Sequence, residues 1–196
     1  MVQTPVARTP TLEDFLGLPE TKPGSEYFDG QITQKPMPQG EHSVLQTELA
    51  SALNLALKPQ KLGRAFSELR CTFEGSSIIP DISVFEWDRI PRKENGGVAN
   101  IFSIAPDWAI EILSPNQSQT KLTKKILYCL QQGTQMGWLI DPSEQSVLIY
   151  SPDQPTRVYD RTSLSSFSQG NDALPVPEFA KNFCLTVEGL FAWLLD

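Results

Sequence analysis

Two stretches of the chain repeat apolar residues at helical spacing. In residues 41–58 they recur at i, i+4, i+7 and i+8 and stop before Pro59, which predicts an amphipathic helix. Its stripe consists of Leu45, Leu49, Ala52, Leu53, Ala56 and Leu57. A second helix is predicted over residues 119–132, where Gly133 is placed to end it. The stripe of that helix consists of Leu122, Ile126, Cys129 and Leu130.

Elsewhere the pattern changes to short runs of β-branched and aromatic residues separated by Gly, Pro, Asn and Asp, which predicts strands. The runs are residues 64–73, 78–85, 107–113, 137–141, 146–150 and 157–159. Asp29-Gly30 adds a hairpin signal within residues 26–34. The strand at 107–113, the second helix and the strand at 137–141 form one crossover unit in an otherwise antiparallel sheet. The fold class is therefore α/β or α+β, a mixed sheet with helices.

The two ends differ from the middle of the chain. Residues 1–25 carry four prolines, leave room for only a short helix near residues 11–16, and are expected to form a peripheral N-terminal arm. Residues 26–196 are expected to form a single domain, and the polar stretch 160–175 indicates a loop. The apolar residues of 185–195 predict a short C-terminal helix that docks on this domain.

Composition narrows the possible functions. The chain has 16 Lys and Arg against 23 Asp and Glu, so its net charge of −7 does not attract phosphates unless basic residues cluster locally or metal ions bridge. Candidates for such a local basic surface are Arg64, Arg70, Arg89, Arg92 and Lys93. The three cysteines are widely spaced, which disfavours a zinc centre, and no apolar stretch suits a signal peptide or membrane span. We therefore expect a reduced, cytoplasmic protein with no membrane partner.

Two carboxylates stand in apolar strand runs. Glu111 lies within Trp-Ala-Ile-Glu-Ile-Leu, and Asp81 follows Ile-Ile-Pro. A buried ionised carboxylate costs several kcal/mol unless it is paired or binds a cation. The alternatives are an exposed Glu on an edge strand and ordinary Pro-Asp turn chemistry. Together, two such carboxylates on adjacent strands suit a divalent-metal site, because Mg²⁺ is typically held by one or two carboxylates with waters and phosphate oxygens.

Several motifs resemble a known family. They are Pro80-Asp81, Glu111-Ile112-Leu113-Ser114-Pro115, a lysine-bearing helix, Gly133, and Trp138-Leu139-Ile140-Asp141-Pro142. Together with Glu26 to Gly30 and His42, they resemble the bacterial restriction-endonuclease-like family within the PD-(D/E)XK nuclease superfamily, over roughly residues 12–195. The resemblance implies a restriction-endonuclease-like mixed β-sheet flanked by helices. It also implies DNA phosphodiester hydrolysis with Mg²⁺ or Mn²⁺, in which Asp81 and Glu111 are catalytic and hold the metal.

The sequence departs from the superfamily pattern at one position. The second acidic residue is usually followed two positions later by Lys, and here that position is Leu113. The resemblance implies that the missing cation comes from the following helix. Lys125 lies on the flank of the apolar stripe and also fits the family's spacing back from Gly133, so we prefer it as the catalytic lysine. Lys124, nearly opposite the stripe, is the alternative, and ordinary solvated surface lysines remain a third interpretation.

His42 and Glu48, both in the first long helix, are possible accessory residues. His42 shares a helix face with Gln46 and Leu49 and is a candidate for contacting metal or phosphate, although a lone helical His is more often a capping or packing residue. Glu48 is a candidate acidic residue that the helix would contribute to the site. The common alternative is that it is an exposed Glu in a surface salt bridge.

Two functions from different classes remain open. One is a Mg²⁺-dependent DNA endonuclease. The other is a catalytically inactive nuclease-fold module for binding or interaction, with a possible homodimer, favoured by the acidic net charge and the displaced lysine. A glycosidase with paired carboxylates is disfavoured because the sequence lacks the signature of an aromatic-lined cleft.

Overall fold

The computed structural model describes residues 8–115, 117–161 and 173–195. Its helices are α1 (Leu12–Leu16), α2 (Gly40–Leu57), α3 (Gln119–Gln131) and α4 (Val187–Ala192). Its strands are β1 (Ser25–Phe28), β2 (Gln31–Gln34), β3 (Gly63–Ser67), β4 (Cys71–Phe73), β5 (Ser76–Ile78), β6 (Ile82–Glu86), β7 (Trp108–Ile112), β8 (Met136–Asp141), β9 (Ser146–Tyr150) and β10 (Arg157–Asp160). Both long helices begin and end within one residue of their predicted bounds.

The strands form two sheets. The larger has six strands in the order β10-β9-β8-β7-β6-β3, and the smaller has four in the order β2-β1-β5-β4. Within the larger sheet β7 and β8 are parallel and joined through α3, whereas the other neighbours are antiparallel. The mixed sheet and its crossover unit are confirmed, and β1 and β2 form the predicted hairpin.

The expectation of one continuous strand over residues 64–73, and of another over 78–85, is wrong. Each run divides between the two sheets, as β3 and β4 and as β5 and β6. The first break includes Glu68 with φ of 52°, outside the extended region. The second contains Pro80, which has no N–H to donate to a ladder. Asp81 therefore lies where the chain passes from the small sheet to the large one.

The two faces of the large sheet have different coverings. Alternate residues such as Ile82, Val84 and Ile110 belong to the main core, together with residues of α2 and α4. The residues between them, including Phe85 and Ala109, point to the opposite face, where they share a second cluster with residues of α3 and the small sheet. By the same alternation, Asp81 and Glu111 lie on this second face.

Helix α3 packs closely on the large sheet. Leu122 and Ile126 are buried against Leu139 and Tyr150, and Gly137 lies under Ile126, where the side chain leaves no room for a Cβ atom. The predicted apolar stripe is thus the packing face of the helix. This contact fixes the rotation of α3 about its axis and hence the direction of its lysines.

The terminal helices both contact the body of the protein. Phe15 of α1 is buried and stacks on Tyr27, and α4 buries Val187, Leu190 and Phe191 in the main core, with Trp193 half-buried. The predicted loop at 160–175 falls mostly on residues 162–172, outside the described residues. In the part of the chain that the structure describes, no helix is long and apolar enough to cross a membrane.

Candidate active site

The strand register brings the two predicted carboxylates to one place. Ile82 of β6 pairs with Ile110 of β7 in an antiparallel ladder. Asp81 precedes Ile82 and Glu111 follows Ile110, so their positions are opposite each other and on the same face. Each residue is only 2% exposed. Asp81 also accepts a hydrogen bond at its Oδ2 atom from the backbone N–H of Ile112, at 2.7 Å.

Lys125 reaches this pair from α3. Its Nζ atom is 2.9 Å from Glu111 Oε1 and donates to both carboxylate oxygens of Glu26, at 2.7 and 3.0 Å. Lys124 extends into solvent, where its Nζ atom lies 4.0 Å from Asp29 Oδ2. Of the two helix lysines considered from the sequence, the structure places Lys125 beside the carboxylates and Lys124 outside them.

A second lysine was not predicted. Lys35, directly after β2, is buried, and its Nζ atom donates to Asp81 Oδ1 at 2.6 Å, to Glu68 Oε1 at 2.9 Å and to the backbone oxygen of Ile79 at 2.9 Å. It lies 46 positions before Asp81. The residues before it, Gln31–Gln34, are all exposed, so no apolar pattern marks Lys35 as buried.

Two further acidic residues complete the cluster. Glu26, the second residue of β1, is buried and accepts a 2.6 Å hydrogen bond from the backbone N–H of Ile79 in addition to its contact with Lys125. Glu68 keeps 43% of its side chain exposed while it pairs with Lys35. Glu26 carries a sequence signal, since it belongs to the hairpin named above. Glu68 carries none.

His42 also faces Asp81, whereas Glu48 does not join the site. The Nε2 atom of His42 is 3.5 Å from Asp81 Oδ1, and its Nδ1 atom is 3.1 Å from the hydroxyl of Ser114. Burial lowers the pKa of His42, but the hydrogen bond to Asp81 and its negative charge outweigh burial, so the net shift is upward. Glu48 is exposed on α2. Gln46 of the same helix instead donates to the backbone oxygen of Asp81, at 2.8 Å.

The acidic charges outnumber the basic ones. Four carboxylates, Glu26, Glu68, Asp81 and Glu111, face the two ammonium groups of Lys35 and Lys125. With His42 neutral and all four carboxylates ionised, two negative charges are in surplus. Among the described residues, the buried Oε2 atom of Glu111 has no hydrogen-bond partner.

The pKa shifts come from burial and from the charges of neighbouring groups in the cluster. Burial raises the pKa of Glu111 to about 7, since its desolvation outweighs the attraction of Lys125 and the charge of Asp81 adds to it. Burial also acts to raise the pKa of Asp81, but Lys35 and His42 hold it well below its usual range. The carboxylates raise the pKa of Lys35 and of Lys125 against the effect of burial, so both lysines stay charged.

Two ligand sets for a divalent cation follow from the geometry. Asp81 and Glu111 are opposite each other on the sheet, and Glu111 Oε2 is unpaired among the described residues. In addition, His42, Glu68 and Asp81 each offer a ligand atom, and these three atoms lie within 4.8 Å of one another. Asp81 belongs to both sets. Each half of the cluster also has one lysine that faces two carboxylates, Lys35 with Glu68 and Asp81 and Lys125 with Glu26 and Glu111, so each half keeps one negative charge in surplus.

Two pockets adjoin the cluster on either side of Pro115 and Gln117. The first, which we call the hairpin pocket, lies between the β1–β2 hairpin and the start of α3, has a volume of about 560 Å³, and reaches Glu26, Lys35 and Lys125. The second, the His42 pocket, has a volume of about 400 Å³ and is bounded by His42, Ser114 and the loop after β8. Groups in the buried cluster therefore border space that a ligand can enter.

Comparison with known proteins agrees with this architecture. Residues 12–188 match the Uma2 family, which is described as "Putative restriction endonuclease". The chain is also similar to the crystal structure of "a putative nuclease belonging to DUF820" from Anabaena variabilis ATCC 29413. That similarity has 59% sequence identity and a TM-score of 0.88, and it covers 94% of this chain and 98% of the other. No protein with a curated description matches.

Proposed function

Since the chain belongs to the Uma2 family of restriction-endonuclease-like proteins, we propose that it is a DNA endonuclease that depends on Mg²⁺ or Mn²⁺. The observation that carries the proposal is the buried carboxylate pair Asp81 and Glu111, with two ammonium groups beside it and a surplus of negative charge. Hydrolysis of a phosphodiester needs both kinds of group, because anionic ligands hold the metal while cations stabilise the charge that develops on the phosphate.

The residues present fit a divalent cation. Carboxylate oxygens are the ligands that Mg²⁺ and Mn²⁺ prefer. Within the described ranges the Oε2 atom of Glu111 has no partner, which is unusual for a buried acceptor. Asp81 and Glu111 would hold the ion. When bound, the cation supplies Lewis-acid polarisation of the phosphate and lowers the pKa of a water molecule.

Lys125 and Lys35 have complementary roles in this proposal. Lys125 is anchored between Glu26 and Glu111, and Lys35 between Glu68 and Asp81, so each carboxylate of the pair has its own lysine. Both ammonium groups stay charged at neutral pH because their carboxylate partners raise the pKa of each lysine. Lys125, which borders the hairpin pocket, stabilises the phosphate charge or orients the nucleophile. In this way Lys125 takes the place of the lysine that the superfamily pattern has at the position of Leu113.

His42 is a positioning residue for Asp81. The contact between its Nδ1 atom and the Ser114 hydroxyl fixes the ring so that Nε2 faces Asp81 Oδ1. The carboxylate is also held by the N–H of Ile112 and by Lys35, so its orientation is set before any ligand arrives.

A plasmid cleavage assay tests the proposed function. Purified protein is incubated with supercoiled and linear DNA in Mg²⁺, Mn²⁺ or EDTA. We expect cleavage with either metal and none in EDTA, and a loss of at least about 100-fold in Asp81→Asn and Glu111→Gln. The matched control is Glu48→Gln, which removes a carboxylate from the exposed surface of α2, and we expect it to keep full activity. Intact DNA under every metal condition, with folded protein, would refute the proposal and favour the non-catalytic binding module.

A further inference from the structure

The hairpin pocket has two opposing walls and a buried floor. One wall is the β1–β2 hairpin, and the other is formed by Pro115, Gln117, Ser118 and the first two turns of α3. The floor includes Lys35 and Lys125, whose side chains are each only 6% exposed. A ligand group that reaches the carboxylate cluster through this pocket therefore has to pass between the hairpin and the helix.

The walls carry positive charge that the site itself does not use. Lys121 and Lys124 line the pocket and are exposed, and in the described part of the chain Lys121 has no ion-pair partner. Lys124 is 4.0 Å from Asp29, a contact at the limit of an ion pair between two groups that are mostly exposed. On the walls, Lys121 and Lys124 therefore face a single exposed carboxylate, Asp29, whereas Lys35 and Lys125 on the floor are already paired with the carboxylate cluster. The His42 pocket has the opposite composition, with Glu41 and Asp141 and no lysine or arginine among its lining residues.

This distribution is local, because the whole chain carries a net charge of −7. The arginines considered from the sequence are engaged elsewhere. Arg70 pairs with Glu20, Arg89 pairs with Asp107, and Arg64 and Arg92 lie over the rings of Phe66 and Trp87. None of them lines the hairpin pocket. The lysines of α3 are thus the basic surface that stands next to the carboxylate cluster.

The arrangement of the two walls and the volume between them favour a single strand over a duplex. A DNA major groove admits a two-stranded β-ribbon, so the hairpin alone would fit a duplex. If the hairpin lay in the major groove and the pocket held one DNA strand of that duplex, α3 on the other side of the strand would lie in the minor groove. That groove is about 6 Å wide, whereas a helix with its side chains is about 10–12 Å across. A volume of about 560 Å³ lies instead within the range of pockets that hold one small ligand, which is too small for a duplex.

We propose that the hairpin pocket takes up a single-stranded segment of the DNA substrate, with Lys121 and Lys124 contacting the phosphates that flank the reactive one. The inference rests on the proposed function for the identity of the polymer. It adds a strand requirement, so the preferred substrates are single-stranded DNA and duplexes with a flap or an unpaired end. It also assigns to two exposed lysines a role in binding, separate from the part played by Lys125.

Fluorescence anisotropy in EDTA tests the inference without any need for cleavage. Labelled oligonucleotides of one sequence are compared as single-stranded DNA and duplex DNA. We expect single-stranded DNA to bind the wild-type protein at least about tenfold more tightly than the duplex does. In Lys121→Ala/Lys124→Ala we expect the affinity for the single strand to fall about tenfold. Two lost phosphate contacts would also make the slope of log K against log salt less steep by about 1.4.

The matched control is Lys58→Ala, which removes an exposed lysine directly after α2. It lies 16 residues along that helix from His42, about 24 Å by the rise per residue. We expect wild-type affinity and salt dependence in this variant.

Two results would overturn the inference: duplex binding as tight as that of single-stranded DNA, or a double variant whose affinity and salt dependence are indistinguishable from those of Lys58→Ala. Failure of the proposed function has a different signature. In that case the binding pattern holds, but no DNA is cut in Mg²⁺ or Mn²⁺.

Discussion

Strand β7 has a buried carboxylate at each end. Asp107 directly precedes the strand, Glu111 is its fourth residue, and their exposures are 0% and 2%. Both oxygens of Asp107 have partners: Oδ2 accepts from the N–H of Glu86 at 2.9 Å, and Oδ1 accepts from Arg89 and, at 3.4 Å, from Gln135. Glu111 has Lys125 on one oxygen and, among the described residues, nothing on the other.

The difference separates a structural carboxylate from one that is ready for a ligand. At Asp107 the donors nearby satisfy the acceptors, so the group stabilises the fold as it stands. At Glu111 the surrounding carboxylates leave two negative charges uncompensated, which costs stability in the absence of a cation. A protein retains such a cost where the site has a function. Predictions that contrast the two ends of β7 therefore test this interpretation.

The largest expected effect is on catalysis, at the Glu111 end. In Lys125→Met we expect DNA cleavage to fall by about 100-fold or more, because the cation next to the reacting phosphate is lost, while metal binding is retained through Asp81 and Glu111. Lys124→Met, one residue earlier on the exposed face of α3, should lose no more than about tenfold, through weaker DNA binding. Cleavage is measured per folded molecule, with folding checked by circular dichroism. Equal rates in the two variants would mean that α3 supplies no catalytic cation.

A second prediction compares stability at the two ends. Asp107→Ala leaves the N–H of Glu86 without its acceptor and removes the partner of Arg89, so we expect the free energy of unfolding to fall by about 2 kcal/mol. Glu111→Gln removes a charge from a cluster with surplus negative charge, so the metal-free protein should be as stable as wild type or more stable. Urea denaturation in EDTA measures both. The contrast fails if Glu111→Gln is the more destabilising change.

A third and smaller effect is the dependence of stability on pH. The pKa of Glu111 rises from 4.5 to about 7 in the folded protein, so the folded state holds this proton more tightly than the unfolded state. The stability of the metal-free protein should therefore decrease as the pH rises from about 4.5 through about 7. His42, whose folded pKa is also raised, adds a loss in the same direction above its unfolded value of 6.5. In Glu111→Gln we expect the free energy of unfolding to depend less on pH below pH 6.5. An unchanged dependence would show that ionising Glu111 does not destabilise the folded protein.

The site residues that the sequence predicts are those that stand out from their neighbours along the chain. Asp81 and Glu111 stand out as charged residues inside apolar strands, and the packing stripe of α3 sets the direction of Lys125. Lys35 and Glu68 have no such context. Lys35 follows an exposed strand of the small sheet and reaches Asp81 only when the two sheets pack together. Glu68 is itself partly exposed and comes opposite Asp81 through the pairing of β3 with β6.

Tertiary pairing also explains the remaining differences. The contact between Lys125 and Glu26 joins residues 99 positions apart, so the sequence alone does not show which hairpin residue meets α3. The division of the strand runs at Glu68 and Pro80 produces two sheets from what the alternation presents as one. Glu48, which has a suitable residue type on a suitable helix, faces solvent because the apolar stripe of α2 turns it away from the sheet.

Metal binding at the two ends of β7 tests the central claim most directly. Isothermal titration calorimetry with Mn²⁺ is carried out on the wild-type protein, on Glu111→Gln and on Asp107→Asn. We expect the wild type and Asp107→Asn to bind Mn²⁺ with similar affinity, and Glu111→Gln to lose binding by at least about tenfold, because it removes both a ligand and the surplus charge. Binding by Glu111→Gln that equals wild type, or no binding by the wild-type protein, would contradict the account.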